Sequence, residues 1–412
     1  MPQSSRRPFG TAWLWGAAAV AAVAVGVAGT AWLRPDRTEA SSPADAASGA
    51  RAVHLTVSSC GESWGSGGGS TAPGGAHRFT LVNGNVGDIE VQLQNVADGK
   101  VYLELDGIGP GATGSGSAVL GKGRYRLVCF PADADPVAGP VVAVGGAPAG
   151  AALTPGVRPV TTNDLIPVAK EYGQWVAGRL PGLQAEVRRL DADAHAGELD
   201  AAKRDWLTAH LSYEGLGAAY GAFGDHGTAI DGVPASGKTA LDDPGLTGFH
   251  KIEALLWAGA PAPTVASATA RLVSDVDALA ADPGLDRIDP ADLGLRAHEI
   301  VENAIQFELS GATDAGSHTN LATIDANLGG SAEALSLLAG LLHSRYPALA
   351  DTQAALAAST RLVEGYRRAD GSWTPLSALS RPQREQLNAS LDATAELLAP
   401  VAEITEPRKA LQ

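Results

Sequence analysis

Cysteine, methionine and basic residues are scarce in this sequence of 412 residues. With two cysteines and one methionine, one chain cannot supply the four thiolates of a structural zinc site or an iron–sulfur cluster. Thirty lysines and arginines stand against 45 aspartates and glutamates, and the net charge of −15 argues against a nucleic-acid-binding protein. An acidic chain is better suited to binding cations.

Apolar residues are plentiful, at 45% of the chain with a mean hydropathy of +0.01. This composition excludes disorder as the dominant state, and the length allows two or three globular domains. The patterns described below divide the chain into five segments. We predict a signal or transmembrane anchor at 1–35, a linker at 36–50, a β-sandwich at 51–146, a linker at 147–160 and a helical bundle at 161–405.

The N-terminal segment indicates that the protein acts outside the cytoplasm. Residues 8–33 carry no charge and follow Arg6 and Arg7. A run of about 20 apolar residues can span a bilayer, and the preceding arginines should remain cytoplasmic. The segment is either an uncleaved anchor or a cleaved export signal, so the protein is expected in the bacterial cell envelope, membrane-anchored or exported. The Ser/Ala/Pro-rich residues 36–50 read as a tether.

Alternating apolar and polar residues between 53 and 144 predict the strands of a small β-sandwich. Cys60 follows the first strand and Cys129 ends the fifth, and an oxidising compartment favours a disulfide between them. A copper site is the alternative. A blue-copper centre is excluded because no histidine follows Cys129 closely and Met1 is the single methionine.

The sandwich also carries carboxylates at alternate positions of two predicted strands. Asp88 and Glu90 share one strand, and Glu104 and Asp106 share another. Neighbouring strands can bring such side chains together on one face, where they could hold a second metal ion. Solvated carboxylates on an exposed face are the alternative.

From residue 163 onward the apolar period changes to 3.6, which predicts helices. Residues 147–412 contain 20 basic and 34 acidic side chains, so −14 of the net −15 lies in this region. His250 and Glu253 are three residues apart in an otherwise apolar helix, so they can share one metal ion. Glu214 lies among small and apolar residues, where a carboxylate is unfavourable unless it is paired, protonated or bound to a cation.

Two further polar segments complete the candidates. Asp231 lies in a loop that can reach over a helix end, and His298, Glu299 and Glu302 lie together on a later helix. Each of these, taken singly, also fits an exposed or capping polar residue. The His298 sequence lacks the last histidine of the zincin H-E-x-x-H motif, and His250–Glu253 lacks that of H-x-x-E-H. Metal-dependent peptide hydrolysis through the H-x-x-E pair therefore stays as the alternative function.

The order of these motifs resembles the imelysin family, and in particular its EfeO-type members. The helical part of the resemblance rests on Gly248–Glu253 with Leu256-Trp257, Tyr213-Glu214, Asp231 and the run from His298 to Gly311. The sandwich part rests on Cys60, the LVNGN turn, residues 107–111 and residues 121–125 leading to Cys129. Together these motifs cover nearly the whole exported chain.

The resemblance implies a cupredoxin-like sandwich followed by an imelysin-like bundle that binds iron. It implies His250 and Glu253 as metal ligands, with Glu214, Asp231 and Glu302 completing or surrounding the site. The oxidation state of the iron and competition by copper or zinc stay open. The resemblance also implies an EfeU-like iron permease and an EfeB-like haem peroxidase as partners, and no catalytic activity for this chain.

Overall fold

The computed structural model describes residues 52–62, 64, 71–282 and 288–409. The predicted anchor and first linker lie outside these residues. Within them, no helix combines the length and the apolar character needed to cross a bilayer. The described chain forms a β-sandwich region followed by a helical domain, in the order that the change of period predicts.

The sandwich region consists of two sheets. Its strands are β1 (Ala52–Leu55), β2 (Thr71–Ala72), β3 (Gly75–Asn83), β4 (Ile89–Asn95), β5 (Val101–Ile108), β6 (Thr113–Leu120), β7 (Gly123–Pro131), β8 (Val137–Ala138) and β9 (Val142–Val144). One sheet has the order β1-β3-β6, and the other has the order β2-β9-β7-β4-β5 with β8 paired to β7. Leu81 of the first sheet and Val91, Leu93 and Leu127 of the second are buried in the same core.

A disulfide joins Cys60 and Cys129 inside this core. Both residues are fully buried, and 69 residues of sequence separate them. Closing a loop of that length removes conformational freedom from the unfolded chain and stabilises the fold by about 4 kcal/mol in the chain-entropy account. The bond ties the segment after β1 to β7 of the opposite sheet.

The helical domain contains nine α-helices among the described residues. They are α1 (Thr162–Ala196), α2 (Leu199–Glu214), α3 (Tyr220–Asp231), α4 (Gly248–Trp257), α5 (Ala262–Ala281), α6 (Asp292–Asn303), α7 (Asn320–Leu342), α8 (Leu349–Glu364) and α9 (Arg381–Thr405). A π-helical turn, Ala304–Glu308, continues α6. Helices α1 to α5 pack as one half and α6 to α9 as the other, and α7 contacts α1 and α2.

Helix α1 shows why the sequence folds this way. Thr161 and Asp164 form a capping box at its start, and Gly197 ends it in the left-handed conformation with φ 79°. Apolar side chains recur every three or four residues along it and are buried. This stripe packs against α2 and α5, so hydrophobic periodicity alone places the first half of the domain.

The C-terminal segment connects the two regions. The Arg408 guanidinium lies 3.4 Å from the Glu104 carboxylate of β5, and the Arg408 backbone N–H donates to Val160 O. Gln92 of β4 donates to Lys409 O over 3.3 Å. The chain end after α9 therefore lies against the outer face of β4 and β5.

Candidate metal centre

Helix α2 presents one buried polar face to α4. Trp206, His210, Tyr213 and Glu214 recur at spacings of three and four and are all buried. The Trp206 indole stacks on His210 with ring centroids 4.9 Å apart, and its N–H donates to Phe249 O over 3.0 Å. This hydrogen bond ties the start of α4 to α2, so His210 and His250 come to lie on facing helices.

A glycine permits the close approach that brings Asp231 to the two histidines. Gly248 begins α4 with φ 77°, a backbone conformation that L side chains rarely adopt. A Cβ atom at this position would lie 1.9 Å from Ile230 O. Because no side chain fits there, the start of α4 packs directly on the end of α3, one residue before the Asp231 carboxylate.

His210, Asp231 and His250 form a compact group with the geometry of a metal site. One ligand atom from each lies within 4.8 Å of the other two. The Asp231 carboxylate is 3.5 Å from Nε2 of His210 and 3.7 Å from Nε2 of His250.

Several polar atoms of the group are buried without a hydrogen-bond partner among the described residues. They are both ring nitrogens of His210, Oδ1 of Asp231 and Nδ1 of His250. The imidazole and carboxylate atoms face one another at ion-pair distances of 3.5 and 3.7 Å. Unpaired buried polar atoms are unfavourable, so their presence fits a group that is completed by a bound cation.

Glu214 and Glu253 flank the group in different ways. Glu214 Oε1 lies 3.1 Å from Nε2 of His210, and its Oε2 accepts from Asn327 of α7 over 2.6 Å. Glu253 Oε2 lies 3.6 Å from Nδ1 of His250, the ring nitrogen that does not face Asp231. Glu253 Oε1 accepts from the backbone N–H groups of Ala315 and Ser317. Glu214 therefore adjoins the metal group directly, whereas Glu253 contacts it through His250.

The charges of the group perturb one another strongly. Burial lowers the pKa of His210, but the adjacent Asp231 and Glu214 carboxylates raise it by more, so the net shift is well above the ordinary value. Burial likewise lowers the pKa of His250, and Asp231 and Glu253 raise it to a net increase. Burial raises the pKa of Asp231, but His250 and His210 hold it at about 2. Asp231 is thus an ionised carboxylate that favours positive charge next to it.

Glu302 does not lie near this group, which corrects the expectation from the sequence. The buried face of α6 consists of Ala297, Ile300 and Val301. Glu302 lies on the opposite face, where its side chain is 56% exposed and is 3.6 Å from His298. His298 and Glu302 of the zincin-like sequence therefore lie outside the His210–Asp231–His250 group, whereas Glu299 lines a pocket beside it. Glu308 of the π-helical turn also lines this pocket and accepts from Asn320.

Glu90, Glu104 and Asp106 of the sandwich lie on the neighbouring strands β4 and β5 and influence one another. Asp88 and Asp106 are exposed, and Glu104 is half-buried beside Arg408. Glu90 is buried and accepts from Gln92 over 2.6 Å. Burial raises the pKa of Glu90, and the nearby Glu104 and Asp106 add to this increase. These carboxylates share one region, but the partners there come from the protein itself.

His210 is the residue of the group that motif reading did not select. The signal was present, since His210 lies four residues before Glu214 and so on the same face of α2. Two histidines from separate helices meet only through the packing of α2 on α4. The sequence does not specify that packing locally.

A pocket of about 160 Å³ opens beside the metal group. Glu214, Asp231 and His250 form one wall. The remaining lining includes Arg296, Glu299 and Asn303 of α6 and Glu308 of the π-helical turn. A larger cavity of about 610 Å³, also lined by His250, lies between residues 233–241 and 311–318.

The family of this chain follows from comparison with known proteins. The imelysin family model, which carries the peptidase M75 label, matches residues 168–401. The chain therefore belongs to the imelysin family. It is 26% identical over 300 residues to the iron uptake system component EfeO of Escherichia coli K12, covering 73% of this chain and 78% of that protein. It is also 26% identical over 239 residues to an Efem/EfeO family lipoprotein of Staphylococcus haemolyticus, covering 58% of this chain and 83% of that protein. The resemblance to EfeO-type proteins that the motifs indicated is confirmed.

Proposed function

We propose that this protein is an iron-binding component of an EfeUOB-like uptake system and that His210, Asp231 and His250 hold the ion. The observation that carries the proposal is the buried group of these three residues, in which four ring and carboxylate atoms have no hydrogen-bond partner among the described residues. Two imidazoles and a carboxylate are donors that ferrous iron accepts. The EfeO name of the relatives supports iron as the ion.

The charge and position of each side chain suggest its role in binding. Nε2 of both histidines lies on the Asp231 side, so these atoms and the Asp231 carboxylate form the ligand set. Glu214, 3.1 Å from His210 Nε2, is the carboxylate placed to join them. Glu253, which the sequence presents as a ligand, instead orients His250 through Nδ1, as carboxylates behind metal-bound histidines do. Copper and zinc would compete for such a set, because their affinities exceed that of ferrous iron at similar ligands.

The wider role follows from the uncharged N-terminal run and the relatives' names. We place the protein outside the cytoplasm, either anchored or exported. There it captures iron and delivers it to a membrane permease, and a haem peroxidase is its second partner. The printed name of the Staphylococcus relative, a lipoprotein, supports a place at the cell envelope. No catalytic turnover is proposed. Peptide cleavage by the purified chain that chelators abolish would contradict this part of the proposal.

Anaerobic calorimetry with ferrous iron tests the proposal. The wild-type chain is expected to bind saturably at the bundle site, and Asp231→Asn to lose most of that binding because it removes the charge between the two histidines. Asp277→Asn is the matched control, because Asp277 also pairs with a basic side chain but lies on the exposed face of α5. Absence of saturable binding by the folded wild type would overturn the proposal. Equal binding by both variants would move the site elsewhere.

A further inference from the structure

The pocket beside the metal group contains a cation that the proposed iron ligands do not use. Arg296 of α6 lines this pocket with Glu214, Asp231 and His250. It is the one lysine or arginine among the described residues that line it. A positive side chain beside a cation site is unexpected, since it repels the ion that the site is built to attract.

One N–H donor of the Arg296 guanidinium has no acceptor among the described residues. Its Nη1 donates to Glu299 Oε2 over 2.6 Å. Its Nε is buried and has no hydrogen-bond partner among the described residues. Since a buried donor without an acceptor is unfavourable, this atom indicates an acceptor that arrives from outside the protein.

The guanidinium is also held in place. A Cβ atom at Gly221 of α3 would lie 2.9 Å from Asp292 Oδ2 and 3.5 Å from Arg296 Nη2, so the Nη2 edge of the guanidinium and the Asp292 carboxylate face a position of α3 that has no side chain. Glu299, one turn along α6, fixes the other edge of the guanidinium. A planar guanidinium held in one orientation is suited to oxyanions, which it binds through two parallel hydrogen bonds.

We propose that the pocket takes its metal ion together with a small oxyanion, whose oxygens bind the ion on one side and the Arg296 guanidinium on the other. This inference rests on the proposed function. Three protein donors leave coordination positions open on iron, which accepts oxygen ligands there. A pocket of about 160 Å³ has room for a small oxyanion with some waters.

Charge explains why the two ligands enter together. Glu214, Asp231 and Glu299 line the pocket and repel a free anion. A bound metal ion reverses this repulsion. By linkage, the anion must then strengthen metal binding by the same factor as the metal strengthens anion binding. Carboxylates, hydrogencarbonate and sulfate share the required chemistry.

Anaerobic titration of the full chain with ferrous chloride tests the proposal. The titration is run in chloride buffer alone and in the same buffer containing acetate, hydrogencarbonate or sulfate. At least one of these oxyanions is expected to lower the Kd of the wild type by about tenfold. Arg296→Gln should lose this enhancement and, without oxyanion, should bind the ion at least as tightly as the wild type because a repelling charge is gone. Arg271→Gln is the matched control, since Arg271 also pairs with a carboxylate on its own helix but is exposed on α5 and does not line the pocket.

The outcomes separate this inference from the proposed function. If no oxyanion strengthens ferrous iron binding by the wild type, the shared site is overturned and the iron site stands. The same holds if an oxyanion strengthens binding by Arg296→Gln as much as binding by the wild type. No ferrous iron binding by the wild type in any buffer overturns the proposed function itself. If circular dichroism shows that Arg296→Gln is unfolded, Arg296→Lys replaces it. That variant keeps the charge but not the paired donors, so its enhancement should be smaller than that of the wild type.

Discussion

The helical domain and the sandwich both gather carboxylates, but they satisfy them differently. In the helical domain, Asp231 and the two histidines leave buried atoms without a hydrogen-bond partner among the described residues. In the sandwich, Glu90 accepts from Gln92, and Glu104 lies beside Arg408. An acidic cluster on its own therefore says little about metal binding. The informative feature is a buried polar atom that the protein leaves unpaired.

Removing a histidine from the helical group is expected to have the largest effect. His210→Ala takes away one donor and leaves Asp231 with a single imidazole, so we expect about a thousandfold weaker iron binding, or ~4 kcal/mol. His195→Ala is the control, because His195, like His210, pairs with a carboxylate four residues away on its own helix but is exposed. Calorimetry under anaerobic conditions measures both. An unchanged Kd for His210→Ala would remove the contrast between the two regions.

A smaller effect is expected where a residue acts through another. Glu253→Gln keeps the shape of the side chain but weakens its hold on His250, so iron affinity should fall roughly thirtyfold, within the range for residues behind a metal ligand. Glu385→Gln, which alters an exposed pair with Arg381, is the control. A loss as large as that of His210→Ala would instead make Glu253 a direct ligand.

Lowering the pH from neutral should weaken iron binding but should increase the contribution of the two histidines to the stability of the metal-free chain. Because the pKa values of His210 and His250 are raised, binding must displace protons, and iron affinity should fall about tenfold from pH 7 to pH 6. In the metal-free chain, protonated His210 and His250 stabilise the fold, and this stabilisation is complete below about pH 6.5, the pKa of an unfolded-state histidine. It is lost as the pH rises through the higher pKa values that the two histidines have in the folded chain. The Asp231 carboxylate, whose pKa is lowered to about 2, stabilises the folded chain fully above about pH 3.9, and this stabilisation is lost in acid.

Denaturant unfolding of the metal-free chain and calorimetry at several pH values measure the two trends. Affinity that does not change with pH would show that the histidines are already neutral before the ion binds. A metal-free stability that rises between neutral and mildly alkaline pH would contradict the raised histidine pKa values.

The sandwich should give the smallest response. Glu104→Gln removes a half-exposed pair with Arg408, so the free energy of unfolding should change by less than about 1 kcal/mol. Because the helical group is intact, the number of iron ions bound per chain should not change. A stoichiometry that falls by one would show that the sandwich carboxylates hold a cation, and the comparison between the two regions would fail.

Much of the site could be predicted from local pattern. His250 and Glu253 lie on one face of α4 because residues three apart on any helix do. Glu214 stood out as a carboxylate among apolar residues, and the structure places it 3.1 Å from His210. Glu302 was misplaced because helical spacing shows which residues share a face but not which face of α6 is buried.

The sequence by itself determined the order of a β region and an α region, because the apolar periods of two and 3.6 depend only on residues that are close together in the chain. The motif order also determined the family. Only the tertiary structure decided that His210, Asp231 and His250 meet, because that depends on how α2, α3 and α4 pack. The contact of Gly248 with Ile230 O shows the reason: one absent side chain sets the distance between helices, and its effect appears only when the chain is folded.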